Sequence, residues 1–200
     1  MYSIIKRLFD FSVSLIALIV LSPLFLIISI AIKIDSKGPV FFLHRRVGYH
    51  GRPVYLIKFR SMVDGAEQMI SDFTPEQRAE WEDNFKLEDD KRVTRVGKIL
   101  RRTSLDELPQ LLNIIAGSMS IVGPRPVVER ELEKYGENKD KFLSMKPGLT
   151  GFWASHGRSN TTYEHRMMLE LYYIDHASLW LDLKIMIKTV FCVISGDGAK

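Results

Sequence analysis

The sequence predicts an α+β chain, mostly helical, with an N-terminal membrane helix, one small β-hairpin and amphipathic helices around a polar cluster. Three observations predict it. Residues 11–32 form an uncharged, almost wholly apolar run of 22 residues. Two short runs rich in β-branched and aromatic residues, 40–43 and 54–57, flank Gly48, Gly51 and Pro53. Most of the remaining chain shows apolar residues at helical spacing, punctuated by Gly and Pro.

The chain averages conceal this organisation. Mean hydropathy is −0.02, which excludes a polytopic membrane protein, and 46% hydrophobic content excludes bulk disorder. The formal net charge of +4 is also a mixture. Residues 64–90 carry ten acids against Arg78 and Lys86, about −8, which leaves about +12 on the rest. A basic body with an acidic insert points to polyanionic partners such as phosphates or a membrane surface. The single cysteine, Cys192, excludes an internal disulfide.

Taken in order, the apolar run comes first. At helical rise it reaches about 33 Å, enough for a hydrocarbon core of about 30 Å. It is too long for the core of a signal peptide and has no polar face for a buried helix. Pro23 stands in its middle, where proline kinks or breaks a helix, and Ser22 offers a hydroxyl to a freed carbonyl. Cations flank both ends: Lys6 and Arg7 before it, Lys33, Lys37, Arg45 and Arg46 after it. Positive residues favour the cytoplasm. The residues alone leave a straight span and a re-entrant hairpin open.

The hairpin follows at 40–57. Residues 64–90 read as one or two solvated surface helices. Helices are expected over 96–100, 105–115 (stopped by Gly117), 129–135, 163–174 and 178–194, with a short apolar turn at 120–123 and a loop from Pro147 through Arg158. The last helix carries Trp180, Leu181, Ile185, Phe191 and Val193 and suits a body lying in the membrane interface.

The densest polar cluster is RRTSLDELPQ, 101–110. Ser104 with Glu107 matches a capping box, which places Asp106 and Glu107 in the first turn of a helix. Caps and dipole partners account for that pattern without any chemistry. A chemical reading is open as well. One carboxylate of the pair attacks phosphorus or holds a divalent metal, and the other orients it or moves a proton. Such an attack needs phosphate charge offset by cations, which the chain offers at Lys58, Arg101 and Arg125. Arg125 is held between Pro124 and Pro126, which restricts its backbone. A basic membrane-anchored binding module and an aspartyl-phosphate phosphatase fit the same residues.

LIKFRSM (56–62), RRTSLDELPQLLNIIAGSMSIVGPRP (101–126) and KPGLTGFWASHGRSN (146–160) resemble the monotopic phosphoglycosyl transferases, a family of bacterial sugar transferases. The N-terminal segment with Ser22-Pro23 and the late WLDLKI (180–185) are similar too; only 64–90 shows no family pattern. The resemblance implies transfer of a sugar-1-phosphate from a UDP-sugar to undecaprenyl phosphate, with release of UMP. It implies a ping-pong route through a covalent phosphosugar on Asp106, with Mg²⁺ as cofactor. Asp106 maps to nucleophile and metal contact, Glu107 to its partner, and Lys58, Arg101, Arg125 and Arg158 to substrate or phosphate contacts. Ser22 and Pro23 map to the break of a re-entrant helix. Expected boundaries are therefore 1–37 for that helix and 38–200 for a catalytic domain with amphipathic interfacial helices around the active site, on the cytoplasmic face of the bacterial inner membrane. Expected partners are the UDP-sugar, undecaprenyl phosphate and lipid headgroups, with no nucleic acid; an interfacial body is compatible with a homodimer. GFWASHGRSN (151–160), with its Trp153, resembles members acting in exopolysaccharide and capsule synthesis. It implies UDP-glucose or UDP-galactose, with a UDP-N-acetylated sugar as the alternative. His44 departs from the family pattern, where glutamine is common.

Overall fold

A computed structural model describes residues 2–84, 87, 90–156 and 161–195. Its first element, α1, runs from Tyr2 to Asp35 as a single helix of 34 residues. The interruption expected at Ser22-Pro23 does not occur: Pro23 lies inside a continuous helix. The reason is local. Proline brings no N–H to the carbonyl four residues back, which here is that of Ile19. The Ser22 hydroxyl donates to that carbonyl at 2.7 Å.

One face of α1 is fastened to the body along its whole length. Near the start, Lys6 Nζ donates to Asp182 Oδ2 at 2.8 Å, and Asp10 accepts from the Ser120 hydroxyl at 2.6 Å. Arg7 donates to the carbonyls of Ile114 and Ile115. Val13, Ala17 and Leu21 then pack against the main core. Leu24, Phe25, Ile28 and Ile32 pack with Phe59 and Leu100 in a second cluster. At the far end Asp35 Oδ2 accepts from the Val96 N–H at 2.9 Å, and the buried Arg60 ties Ser36 and Pro39 to the neighbouring strand. The opposite face is bare and apolar, with Leu8, Ile16, Val20 and Ile27 all more than 60% exposed.

Strands β1 (Phe41–Val47) and β2 (Pro53–Phe59) form the expected antiparallel hairpin, each three residues longer than the apolar runs. Arg45, Arg46 and Lys58 join the ladder because backbone groups make it, whatever the side chain. The register pairs Phe42 with Lys58, His44 with Leu56 and Arg46 with Val54, which puts these side chains on one face. The turn passes through His50 and Gly51, both at positive φ.

The acidic stretch forms a short 3₁₀ turn (Gln68–Asp72) and helix α2 (Pro75–Asn84). Thr74 and Gln77 exchange backbone-to-side-chain hydrogen bonds at its start, a reciprocal cap. Helices α3 (Arg95–Thr103) and α4 (Gln110–Ala116) follow, and Gly117 at φ 84° ends α4 as expected. Residues 120–123 differ from expectation. Ser120–Val122 is a buried strand, β3, paired in parallel with β4 (Gly148–Thr150). Strands of three residues are too short to carry a periodic signal. Between them lie α5 (Glu129–Leu132) and the unforeseen α6 (Lys139–Leu143). The chain continues through α7 (Phe152–Ser155) and α8 (Tyr163–His176) to α9 (Leu179–Ser195). Leu56, Ile114, Met119, Val122, Tyr173 and Ile185 form the main core, where β2, α4, the small sheet, α8 and α9 meet.

Candidate active site

The carboxylate pair sits in a corner between two helices. Thr94 caps α3 by accepting from the Gly97 N–H at 2.9 Å. Gly97 lets α3 approach the end of β2: a Cβ there would stand 1.9 Å from the Ser61 carbonyl oxygen. That approach brings Arg101 Nε to the Ser61 hydroxyl at 2.9 Å. The helix ends at Ser104, which takes a left-handed conformation at φ 56°. Leu105–Glu107 make a single 3₁₀ turn, and α4 starts only after Pro109.

The capping-box expectation is therefore corrected. Ser104 makes no side-chain cap. It closes α3 with its own N–H, which donates to the carbonyls of Leu100 and Arg101. Asp106 and Glu107 belong to a tight turn, not to the first turn of an α-helix. What holds that turn is packing, with Leu105 and Leu108 set against the cluster of Phe59, Leu100, Ile28 and Ile32.

Asn113 locks this corner to the hairpin. Its side chain donates to the Tyr55 carbonyl at 2.7 Å and accepts from the Ile57 N–H at 2.9 Å. With α4 and β2 joined, Lys58 Nζ reaches Glu107 Oε1 at 2.7 Å. Asp106 lies beside them, half-buried. Burial pushes its carboxyl up to about 6; Lys58 opposes that rise, Glu107 adds to it and Arg101 opposes it. Arg101 is itself pulled down by burial and pushed back up by Asp106. Lys58, Arg101, Asp106 and Glu107 thus come together as expected.

Arg125 enters from the other side. Its N–H donates to Glu170 Oε1 at 3.2 Å, and its guanidinium lies over the Trp153 ring. The hairpin connects it to Lys58. His44, on the Lys58 face, is pushed down to about 4, first by burial and then by the positive charges of Arg46, Lys58 and Arg125. Arg46 pairs with Glu131 at 3.3 Å, and Arg166 reaches the same carboxylate at 3.4 Å. Arg166 also stacks on Trp153 and Tyr163. The result is a carboxylate pair at one wall and a row of cations leading away from it. That charge pattern suits a substrate with several phosphate charges. Arg158 lies outside the described residues.

Sequence reasoning missed Arg46, Arg166 and Glu170 as members of this region. Arg46 was readable in principle, because alternation along β1 puts it on the face of Lys58. Arg166 and Glu170 sit on α8 at the i, i+4 spacing of one helix face, but only the fold brings them to the Arg125 loop.

A family model described as bacterial sugar transferase matches residues 1–196. The chain belongs to that family. It is similar to the exopolysaccharide production protein ExoY of Sinorhizobium fredii, 45% identical over 197 residues, covering 97% of this chain and 87% of the relative. It is 43% identical over 198 residues to an undecaprenyl-phosphate galactose phosphotransferase of Salmonella typhimurium. It is 42% identical over 198 residues to a UDP-galactose-lipid carrier transferase of Erwinia amylovora. Both matches cover 98% of this chain but only 41% of the relative. This sugar transferase therefore spans about two fifths of the length of some relatives and most of others.

Proposed function

We propose that this sugar transferase moves a sugar-1-phosphate from a UDP-sugar to undecaprenyl phosphate and releases UMP. The observation that carries this reading is the half-buried Asp106, its proton affinity raised, beside the Lys58–Glu107 pair, with a row of cations leading from it. A carboxylate needs such cations to approach a diphosphate, because both partners are anionic. An Asp106 oxygen forms a bond to the sugar-bearing phosphorus while the bridging P–O bond of the diphosphate breaks and UMP leaves. An oxygen of the lipid phosphate then attacks the same phosphorus and expels the Asp106 carboxylate. Lys58 holds Glu107 in place and offsets charge at the corner. Arg101 and Arg125 offset charge on the two phosphates, and Arg158 is proposed as a further contact. Galactose is the preferred sugar, because two relatives above 40% identity are named for it; glucose and an N-acetylated sugar are the alternatives.

Mg²⁺ is the proposed cofactor. Among the described residues no three carboxylate, His or Cys side chains gather into an all-protein cage. Mg²⁺ is commonly held by one or two carboxylates plus substrate phosphates. Asp106 fits that role, since its raised proton affinity marks a carboxylate short of positive charge. When bound, the ion supplies neutralisation of phosphate charge.

The reading places the catalytic body on the cytoplasmic face of the bacterial inner membrane, with one face of α1 held against that body and its bare apolar face turned to lipid. Asp10 and Asp35, near opposite ends of α1, both bond to that body, and cations flank both ends. The comparisons lend no support to a homodimer.

The test supplies the full chain with Mg²⁺ and a panel of UDP-sugars, with and without undecaprenyl phosphate. UDP-galactose should give one equivalent of UMP without lipid, a protein heavier by one hexose phosphate, and continuous turnover once lipid is added. UMP release that strictly requires lipid would overturn the covalent route, and steady release without lipid would indicate a phosphatase.

A further inference from the structure

The strongest unexplained feature lies at the other end of the hairpin from the carboxylate pair. A cavity of about 210 Å³ opens between the first turns of α1 and the chain around Lys146; Tyr2, Lys6, Arg7, Asp10, Tyr49 and Lys146 are among its lining residues. A second cavity of about 350 Å³ adjoins it, bounded by Gly48, Arg52, Gly117 and Ser118, and shares Tyr49 and Lys146 with the first. The two make one groove. Pro53, at its edge, is five residues from Lys58, about 17 Å along β2.

The groove carries more positive charge than its carboxylates offset. Lys6 is committed to Asp182 and Asp10. Asp10, the one acid in the lining, accepts from Ser120 and Ile121. Arg7 donates only to carbonyls, so its charge is not neutralised. Lys146 makes no side-chain hydrogen bond or ion pair among the described residues, although it is partly buried next to Arg7. Its ammonium is pulled down by burial and by Arg7, with Asp10 opposing. A lysine held against another cation makes a place that attracts an anion. Arg52, exposed, adds a fourth cation at the groove's outer edge.

We propose that this groove is a phosphate-binding site that seats the headgroup of an anionic phospholipid, separate from the carboxylate pair. Lys146 and Arg7 take the phosphate oxygens, with Arg52 at the mouth and the Tyr2 and Tyr49 rings as flanking walls. The neighbouring surface argues for a lipid source over free phosphate. The turns of α1 that line the groove carry Ile4, Ile5, Leu8 and Phe9, all exposed, on which acyl chains can lie. A soluble phosphate has no use for that apolar surface.

The test uses the purified, delipidated full chain in detergent micelles, offered dioleoyl phosphatidylglycerol, with retained lipid counted by native mass spectrometry. One phosphatidylglycerol should remain per chain and resist a large molar excess of inorganic phosphate. Lys146→Gln should lower retention about tenfold, the loss of one charge-assisted phosphate contact, and Lys146→Arg should keep it. If Lys146→Gln fails to fold, Arg52→Gln, at an exposed position, should still weaken retention. Undiminished retention in the glutamine variants overturns the site. Displacement by inorganic phosphate overturns its assignment to a lipid. No donor or acceptor enters this measurement, so its failure leaves the transferase reading untouched.

Discussion

Two regions of this molecule are dense in charge and differ in everything else. The corner at 101–107 and the acidic stretch at 64–90 both crowd ionisable groups into short sequence. In the corner the charges around the carboxylate pair have side-chain neighbours: Lys58 on Glu107, Arg101 on Ser61, and Asp106 half-buried beside them. In the acidic stretch most of the described acids face water on and around α2. Its described fastenings include the reciprocal cap at Thr74 and Arg92, which reaches back from Asp90 to the Ala66 carbonyl and the Phe73 ring. Charge density alone therefore does not make a site. Desolvation against opposite charge does, because it moves proton affinities and fixes geometry.

Four substitutions break or sharpen that contrast. The largest effect belongs to Asp106→Asn, which should lower UMP release at least about 10³-fold, since the amide cannot act as nucleophile. Its melting temperature should stay near that of wild type, which separates lost chemistry from lost fold. Gly97→Ala comes next. A methyl group 1.9 Å from the Ser61 carbonyl cannot be accommodated without pulling α3 off the strand end. It should cost about 3 kcal/mol or more in denaturant unfolding and reduce turnover by displacing Arg101.

Glu170→Gln tests a carboxylate outside the corner. Glu170 is fully buried, and burial pushes it up to about 7, with Arg166 and the Arg125 N–H opposing. An unfolded glutamate titrates at about 4.3. Between those values the folded chain binds more protons than the unfolded one, so stability falls as pH rises through the window. Wild type should lose about 3 kcal/mol between pH 4 and 8 from this group, and the glutamine variant should lack that slope. An identical pH slope in both proteins would remove Glu170 as its source. The smallest effect belongs to Glu67→Gln in the acidic stretch. An exposed substitution there should change stability by no more than about 0.5 kcal/mol and leave turnover unaltered; a large loss of turnover would give that stretch a part in the chemistry.

Legibility followed the same divide. Elements governed by local chemistry were readable. Residues 11–32 form one helix because nothing in them prefers water, and Gly117 ends α4 because it alone takes φ 84° without strain. The hairpin was readable from two β-rich runs about a turn with glycines. Lys58, Arg101, Asp106, Glu107 and Arg125 were legible chiefly through resemblance to a family, not through spacing. Ser104 was misread because the capping-box pattern is satisfied equally by a left-handed residue that ends one helix before a tight turn. The pairing of β3 with β4 was illegible because its partners are 28 residues apart and each strand is three residues long.

By itself, then, the sequence determined the apolar helix and the hairpin, which rest on residue type and near-neighbour spacing, and, through whole motif strings, the resemblance to the family. Tertiary structure alone decided that Lys58 meets Glu107 across 49 residues of chain, that α1 lies fastened to the body near both ends, and that partial burial raises the proton affinity of Asp106. These are consequences of which surfaces pack together, and packing depends on the whole core: Asn113 bridging α4 to β2, and Gly97 letting α3 close on Ser61. A carboxylate's proton affinity is set by what surrounds it, so a motif can single out a carboxylate but only the fold can tune it.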